Sequence, residues 1–310
     1  MRKDIIISTG GLGNQLFQIA AALSVNPQTE VVVESSIGTP RLNKIGLPDS
    51  SDFDFNRRVK FTQFHKSSYF LRKTFNLGVK VSLRSILRRE FFDYTLMTVI
   101  QFILCISFRG FYKIHYCYGV GYTPITKSRR ASIYIGYFQS FRYITNSSQN
   151  FDFSTVIKLR SPGKHLLELI ELSKTEKPVI VHIRLGDYRN EPNFGIPTTS
   201  YFVDAINRIR SAGHAGKIWL FSDEISEAEI LLQPFFNDIR SIDNVDDSSA
   251  STLEAMRLGH AYVISNSTFS FWGAKLSYAV TPMVIAPRPW YINMPTPVDL
   301  LPYNWEQVDR

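Results

Sequence analysis

Three short segments of this 310-residue chain combine glycine, amide, hydroxyl and cationic side chains in patterns suited to holding an anion. The first is Gly10-Gly11-Leu12-Gly13-Asn14-Gln15. It follows an apolar run, Ile5-Ile6-Ile7, and precedes a stretch with Leu16, Phe17, Ala20, Ala21 and Leu23 at helical spacing. Glycines there let a backbone approach a ligand closely, and a helix start offers N–H groups and a partial positive charge. Gly11 and Gly13 are candidate backbone contacts, and the amides of Asn14 and Gln15 suit phosphate or sugar hydroxyls. The pattern is neither GxGxxG nor a P-loop, and a plain tight turn with Asn14 as helix cap is an equal reading.

The second segment is Val181-His182-Ile183-Arg184-Leu185-Gly186-Asp187-Tyr188. The run Val179–Ile183 reads as a buried strand, which puts His182 and Arg184 at its carboxyl end, the ligand edge of an open α/β sheet. Alternation places them on one face and Leu185 on the other. A guanidinium makes planar, two-pronged bonds to a diphosphate. The plainer alternative is an Arg184–Asp187 ion pair that stiffens the loop.

The third segment, 263–274, is an apolar strand ending in Ser265-Asn266-Ser267-Thr268-Phe269 before a helix. Ser267 or Thr268 is a natural N-cap, and backbone N–H groups and hydroxyls converge where a phosphate would sit. A lesser candidate is Asp223 with Glu224 after Phe221-Ser222, able to read a ribose or guanine edge or simply to cap a helix. Asp52-Phe53-Asp54 follows a polar loop instead of a buried strand. With no His/Asp/Glu cluster at ligand spacing elsewhere, no metal is expected.

The elements that must carry these segments alternate. After the opening strand–turn–helix comes a buried strand at 31–33 and another at 133–138. The second half is expected to hold strands at Val179–Ile183, Ile218–Ser222, 239–242, 261–265 and 283–286, with helices at 200–211, 226–232, 249–258 and 269–277. This alternation implies parallel sheets covered on both faces. Two domains fit the length, 1–157 and 158–310.

Composition narrows the classes. A hydrophobic fraction of 44% supports a folded core. The two cysteines, Cys105 and Cys117, form no metal or disulfide framework and fit a reducing compartment. The apolar run at residues 5–7 is too short for a signal peptide, and 96–108 is too short to span a bilayer, so a cytoplasmic protein is expected. Residues 57–130 read as mainly helical and hold fifteen Lys and Arg against Glu90 and Asp93 alone. Aromatic and aliphatic residues interleave those charges, which suits peripheral contact with an anionic membrane, or a solvated basic face. No nucleic-acid motif accompanies them.

Taken in order, 10–18, 136–140, 182–188, 221–224 and 265–274 resemble glycosyltransferase family 11, the α-1,2-fucosyltransferases, in its bacterial branch. The resemblance covers nearly the whole chain. It implies a GT-B-like α/β fold, two Rossmann-like domains facing a cleft, with GDP-fucose held by the C-terminal one and the acceptor by the N-terminal one. It further implies an inverting, metal-independent transfer of L-fucose to a terminal β-galactose of a lipid-linked O-antigen or surface polysaccharide unit. Arg184 would hold the diphosphate, with Asp187 and Asn14 as catalytic candidates. The donor would meet Gly11, Gly13, Asn14, Gln15, His182, Asp223, Glu254, Asn266, Ser267, Thr268 and Phe269. Two positions depart from the pattern: Leu185 stands where a second arginine is usual, and Thr252 where an aspartate is, with Glu254 close by. Another linkage, or a non-catalytic sugar-binding protein, are the competing readings.

Overall fold

The computed structural model describes residues 3–35, 48–62, 112–117 and 119–310. The chain divides into two compact units, Met1–Lys158 and Leu159–Arg310.

Unit 1 begins with β1 (Lys3–Ile7), α1 (Leu12–Val25) and β2 (Glu30–Glu34), and continues with β3 (Val59–Thr62), β4 (Tyr112–Cys117) and β5 (Ala131–Gly136). All five strands are parallel, in the order β3-β2-β1-β5-β4. Leu16, Phe17, Ile19, Ala20 and Leu23 of α1 are buried. The helix is enclosed on nearly every side, which is why its residues are apolar or small almost throughout.

The expectation that 57–130 is mainly helical is corrected for its described part. Both described elements there, β3 and β4, are strands. In Tyr112-Lys113-Ile114-His115-Tyr116-Cys117 aromatic and β-branched residues suit a pleated surface, and pairing along the whole of β5 outweighs any local helical tendency. The remaining basic residues between 63 and 111, Cys105 and the membrane-contact expectation lie outside the described residues. Asp54 closes a turn by accepting a hydrogen bond from Arg57 N at 3.0 Å.

Unit 2 holds α2 (Lys164–Glu176), β6 (Val179–Ile183), α3 (Thr199–Ser211), β7 (Ile218–Ser222), α4 (Ile225–Leu231), β8 (Ile239–Ser241), α5 (Ser249–Met256), β9 (Ala261–Ile264), α6 (Thr268–Lys275), β10 (Met283–Arg288) and β11 (Glu306–Asp309). The elements foreseen between 179 and 286 form within two residues of their expected bounds. Helix α2 and strand β11 were not foreseen. The first turn of α2 is capped from far along the chain, where Asp246 accepts from His165 N at 3.0 Å and Leu166 N at 3.2 Å. No local sequence signal could show that cap.

The six parallel strands run β8-β7-β6-β9-β10-β11. Counted from β6 this is the order 3-2-1-4-5-6 of a Rossmann sheet, whose direction of winding reverses between β6 and β9. Val179, Val181, Ile183 and Leu185 pack on one face with Tyr201, Phe202, Ile206 and Ile209 of α3. Leu185 therefore continues the core face, opposite in parity to His182 and Arg184. Among the described residues no helix is long and apolar enough to cross a membrane.

One glycine sets the end of β5. Gly136 has φ +125°, and a Cβ there would lie 2.3 Å from the Cys117 carbonyl oxygen. Gly136→Ala is expected to cost roughly 1–3 kcal/mol from backbone strain alone. It should lower the urea midpoint of unit 1. Gly11→Ala, in an extended conformation with no atom near its Cβ, should leave that midpoint unchanged.

Candidate functional site

The carboxyl ends of the parallel strands gather the polar residues in each unit. In unit 1 the ends of adjacent β1 and β5 are tied by side-chain amides. Gly10 turns the chain at φ +78°, and α1 starts on Gly11 with no side-chain cap. The expected cap, Asn14, instead sits inside the first turn. Its Oδ1 accepts from Gln139 Nε2 at 2.8 Å, joining the 10–15 segment to the 136–140 segment. Gln15 donates to the Gly10 carbonyl and accepts from Ser50 N, so both ends of its buried amide hold protein. Gln18 reads Thr9 through both its N–H and C=O and donates to Gly136 O at 3.0 Å. Gln15 thus serves the scaffold of the turn, and Gly11 stays open to close approach, with nothing near its Cβ position.

In unit 2 the site forms where the sheet reverses direction, between β6 and β9. His182, the fourth residue of β6, is buried on the face that meets α6. Its Nδ1 lies 3.2 Å from Ser265 Oγ and 2.5 Å from Ser270 Oγ, and its ring packs 5.7 Å from the Phe269 ring. Burial, with a smaller push from the Arg184 charge, lowers the imidazole from the usual 6.5 to about 3, so it is neutral at ordinary pH. Ser267 caps α6 by accepting from Phe269 N at 3.2 Å, and Thr268 opens the helix. Asn266 is buried and donates to the carbonyls of Phe194, Gly195 and Trp290. It pins two loops over the strand ends. Tyr188, its phenol raised to about 12 by burial, donates to Asn266 O at 3.2 Å and so links the ends of β6 and β9.

Arg184 lies one residue past β6, about one-third exposed. Its Nη2 is 2.8 Å from Asp187 Oδ1, and its Nη1 is 3.3 Å from Asp223 Oδ2. Asp223 also accepts from Leu185 N at 2.9 Å, and a Cβ on Gly186 would come within 2.6 Å of it. The loop-stiffening ion pair thus exists, and Asp223 is a loop holder. Glu224 pairs with Arg189. Partly exposed pairs of this kind are worth about 0–1 kcal/mol. Charge-assisted bonds to an oxyanion are worth about 1.5–3 kcal/mol each. The guanidinium can therefore exchange a carboxylate for a bound anion at little cost.

Glu254 sits among protein partners. It lies near the carboxyl end of α5, a helix that runs back from the ligand edge, and is spent in a buried ion pair with Arg257 at 2.7 Å and a hydrogen bond from Tyr278. Thr252 bonds Val245 N and Ser248 O, fixing the start of α5. Sequence reasoning missed the roles of Ser270, Tyr188 and Gln139. The available signal was a lone hydroxyl in the apolar run Phe269-Ser270-Phe271-Trp272, on the face that meets a buried histidine.

The depressed His182 value has a stability consequence. The unfolded chain takes up a proton between about pH 6.5 and 3 that the folded chain refuses, so stability falls as pH drops through that window. Wild type should lose up to about 1.4 kcal/mol per pH unit more than His182→Gln across pH 6 to 4. Urea denaturation at a series of pH values measures the difference in slope. Equal slopes would mean that His182 titrates normally.

Comparison with known proteins agrees with these motifs. The model of glycosyl transferase family 11 matches residues 5–293. An alpha-1,2-colitosyltransferase of Escherichia coli is 25% identical over 194 residues, which are 60% of this chain and 66% of that protein. The O-antigen biosynthesis glycosyltransferase WbnK of Escherichia coli is 26% identical over 302 residues, 91% of this chain and 93% of its own. Among solved structures, NodZ alpha-1,6-fucosyltransferase co-crystallised with GDP aligns over 89% of this chain and 92% of its own, at 14% identity and a TM-score of 0.49. The family match runs through both parallel-sheet units and includes the strand ends of β1, β5, β6 and β9, and the chain belongs to glycosyl transferase family 11.

Proposed function

We propose that the chain is an inverting galactoside α-1,2-fucosyltransferase. It would move L-fucose from GDP-β-L-fucose to the 2-hydroxyl of a terminal β-galactose in bacterial O-antigen or surface polysaccharide synthesis. One observation carries the reading: Arg184 and the Ser267-capped start of α6 lie at the ends of adjacent strands where the Rossmann sheet reverses. Family membership supports glycosyl transfer. The relative WbnK supports O-antigen synthesis, and the colitosyltransferase supports the α-1,2 linkage.

As the sugar–phosphate bond breaks, charge builds on the leaving GDP. Arg184 and the N–H groups at the start of α6 meet that charge as preorganised donors, which is where such groups act most strongly. The acceptor hydroxyl attacks the opposite face of the sugar through an oxocarbenium-like state, and its proton passes to a base. Asp187 is the base candidate in the donor segment, and Asn14 is assigned to orienting the acceptor. No metal is assigned, because Arg184 and the helix start neutralise the diphosphate. The colitosyltransferase relative favours a second reading, in which the donor sugar is colitose.

Purified protein is expected to transfer fucose from GDP-fucose to galactosides in excess EDTA, with linkage analysis giving α-1,2. Complete loss on chelation, restored by manganese or magnesium, overturns the metal-free assignment. A colitosyl donor used in preference to GDP-fucose selects the second reading. Arg184→Ala should lose roughly 10²–10³ in kcat while staying folded. Arg184→Lys should recover little, because an ammonium lacks the planar fork. Leu185→Ala should keep substantial activity at some cost in stability. The reverse ranking of Arg184→Ala and Leu185→Ala would sink the phosphate role of Arg184.

A further inference from the structure

We infer that Ser265 and Ser270 are positioning residues that lock His182 as the tautomer protonated on Nε2, making it a neutral donor aimed at the anionic part of the nucleotide. The inference rests on the proposed function for the identity of that anion, but its first half stands on hydrogen-bond geometry alone.

The argument is a count of protons. Three groups form a closed triangle: His182 Nδ1, Ser265 Oγ and Ser270 Oγ. The nitrogen is 2.5 Å from Ser270 Oγ and 3.2 Å from Ser265 Oγ, and the two hydroxyls are 3.1 Å apart. Both serines are completely buried. Each hydroxyl has one proton to donate, and a buried donor needs an acceptor. If Nδ1 is bare, Ser270 donates to it and Ser265 donates to Ser270 Oγ, so every proton is placed. If Nδ1 carries the proton, it donates to Ser270 and Ser270 donates to Ser265. The Ser265 proton then has no acceptor among the described residues, in a site that water does not reach. The first arrangement wins because it leaves no buried donor unsatisfied.

With Nδ1 bare and the ring neutral, the proton sits on Nε2. That nitrogen makes no hydrogen bond to the described residues, although the residue is 95% enclosed, at 5% relative exposure. The ring sits at the carboxyl end of β6, two residues before Arg184 and beside Phe269 in the first turn of α6. A neutral N–H there supplies a hydrogen bond at ordinary pH. It adds no second positive charge beside Arg184, and it cannot serve as a base.

Side-chain NMR of the full chain with isotope-labelled histidine reads the tautomer directly, without ligand and without mutation. The expected result at pH 7 is His182 protonated on Nε2 and bare on Nδ1, with the Nε2–H signal moving when GDP is added. Ser270→Ala should keep that tautomer, since Ser265 remains within reach of Nδ1. The double variant Ser265→Ala with Ser270→Ala should show mixed tautomers and bind GDP about 3- to 10-fold more weakly, as for one lost hydrogen bond. A wild-type spectrum with the proton on Nδ1, or a double variant that keeps the single Nε2–H form, overturns the positioning role. An Nε2–H signal unmoved by GDP that does bind overturns the ligand-facing role. If wild type binds no GDP at all, the functional reading itself has failed, and the unliganded spectrum still decides the tautomer.

Discussion

Parallel pairing is the constraint from which the rest of this molecule follows. A parallel strand needs a crossover to return the chain, and crossover helices cover both faces of the sheet. The strands β6, β7 and β9 are accordingly apolar almost throughout. All strands of a sheet then finish on one edge. Polar groups excluded from the covered faces collect at that edge, where the loops begin. In unit 2 the strand order separates the crossovers leaving β6 and β9, so that His182, Arg184 and Ser265 to Thr268 meet at one place.

Concentrating polar groups at a partly buried edge creates its own problem, since unpaired donors and acceptors are expensive there. Side-chain amides solve much of it. Gln18 and Gln15 take up loose backbone groups around the Gly10 turn, and Gln139 bonds Asn14 across from β5. Asn266 collects three loop carbonyls with one amide nitrogen. These residues have the types expected of ligand contacts, yet several spend their hydrogen bonds on the protein. The glutamines fix the Gly10 turn of unit 1, and Asn266, just before α6, ties down the loop that follows Arg184 in unit 2.

The charged groups obey a different balance. Arg184 rests between two carboxylates in a half-exposed setting, where ion pairing is weak enough to exchange. Glu254 and Arg257 form a pair that is almost fully buried, and removing one partner would strand a charge. Both pairs read alike in the sequence as an acid and an arginine three positions apart. Only burial separates an exchangeable partner from a structural one.

The alternation of apolar runs with helical spacing was sufficient to locate the elements of 179–286, because covered parallel strands have to be continuously apolar and their helices amphipathic. The same logic found the strand ends, and with them Arg184, His182 and Ser267. Strand β4 escaped because its pattern is too short and too mixed to declare itself without β5 beside it. Helix α2 escaped because only Leu166, Leu169 and Ser173 are buried along it and its cap comes from Asp246, eighty residues away. The protein partners of Gln15 and Glu254 were not legible because an amide or a carboxylate has the same chemistry whether it faces a ligand or a carbonyl. Which of these it meets is decided by long-range contacts such as Gln15 with Ser50 and Glu254 with Tyr278. The sequence by itself determined which residue types stand at the strand ends. The tertiary structure decided which of their hydrogen bonds remain unspent, because that depends on atoms brought together from distant parts of the chain.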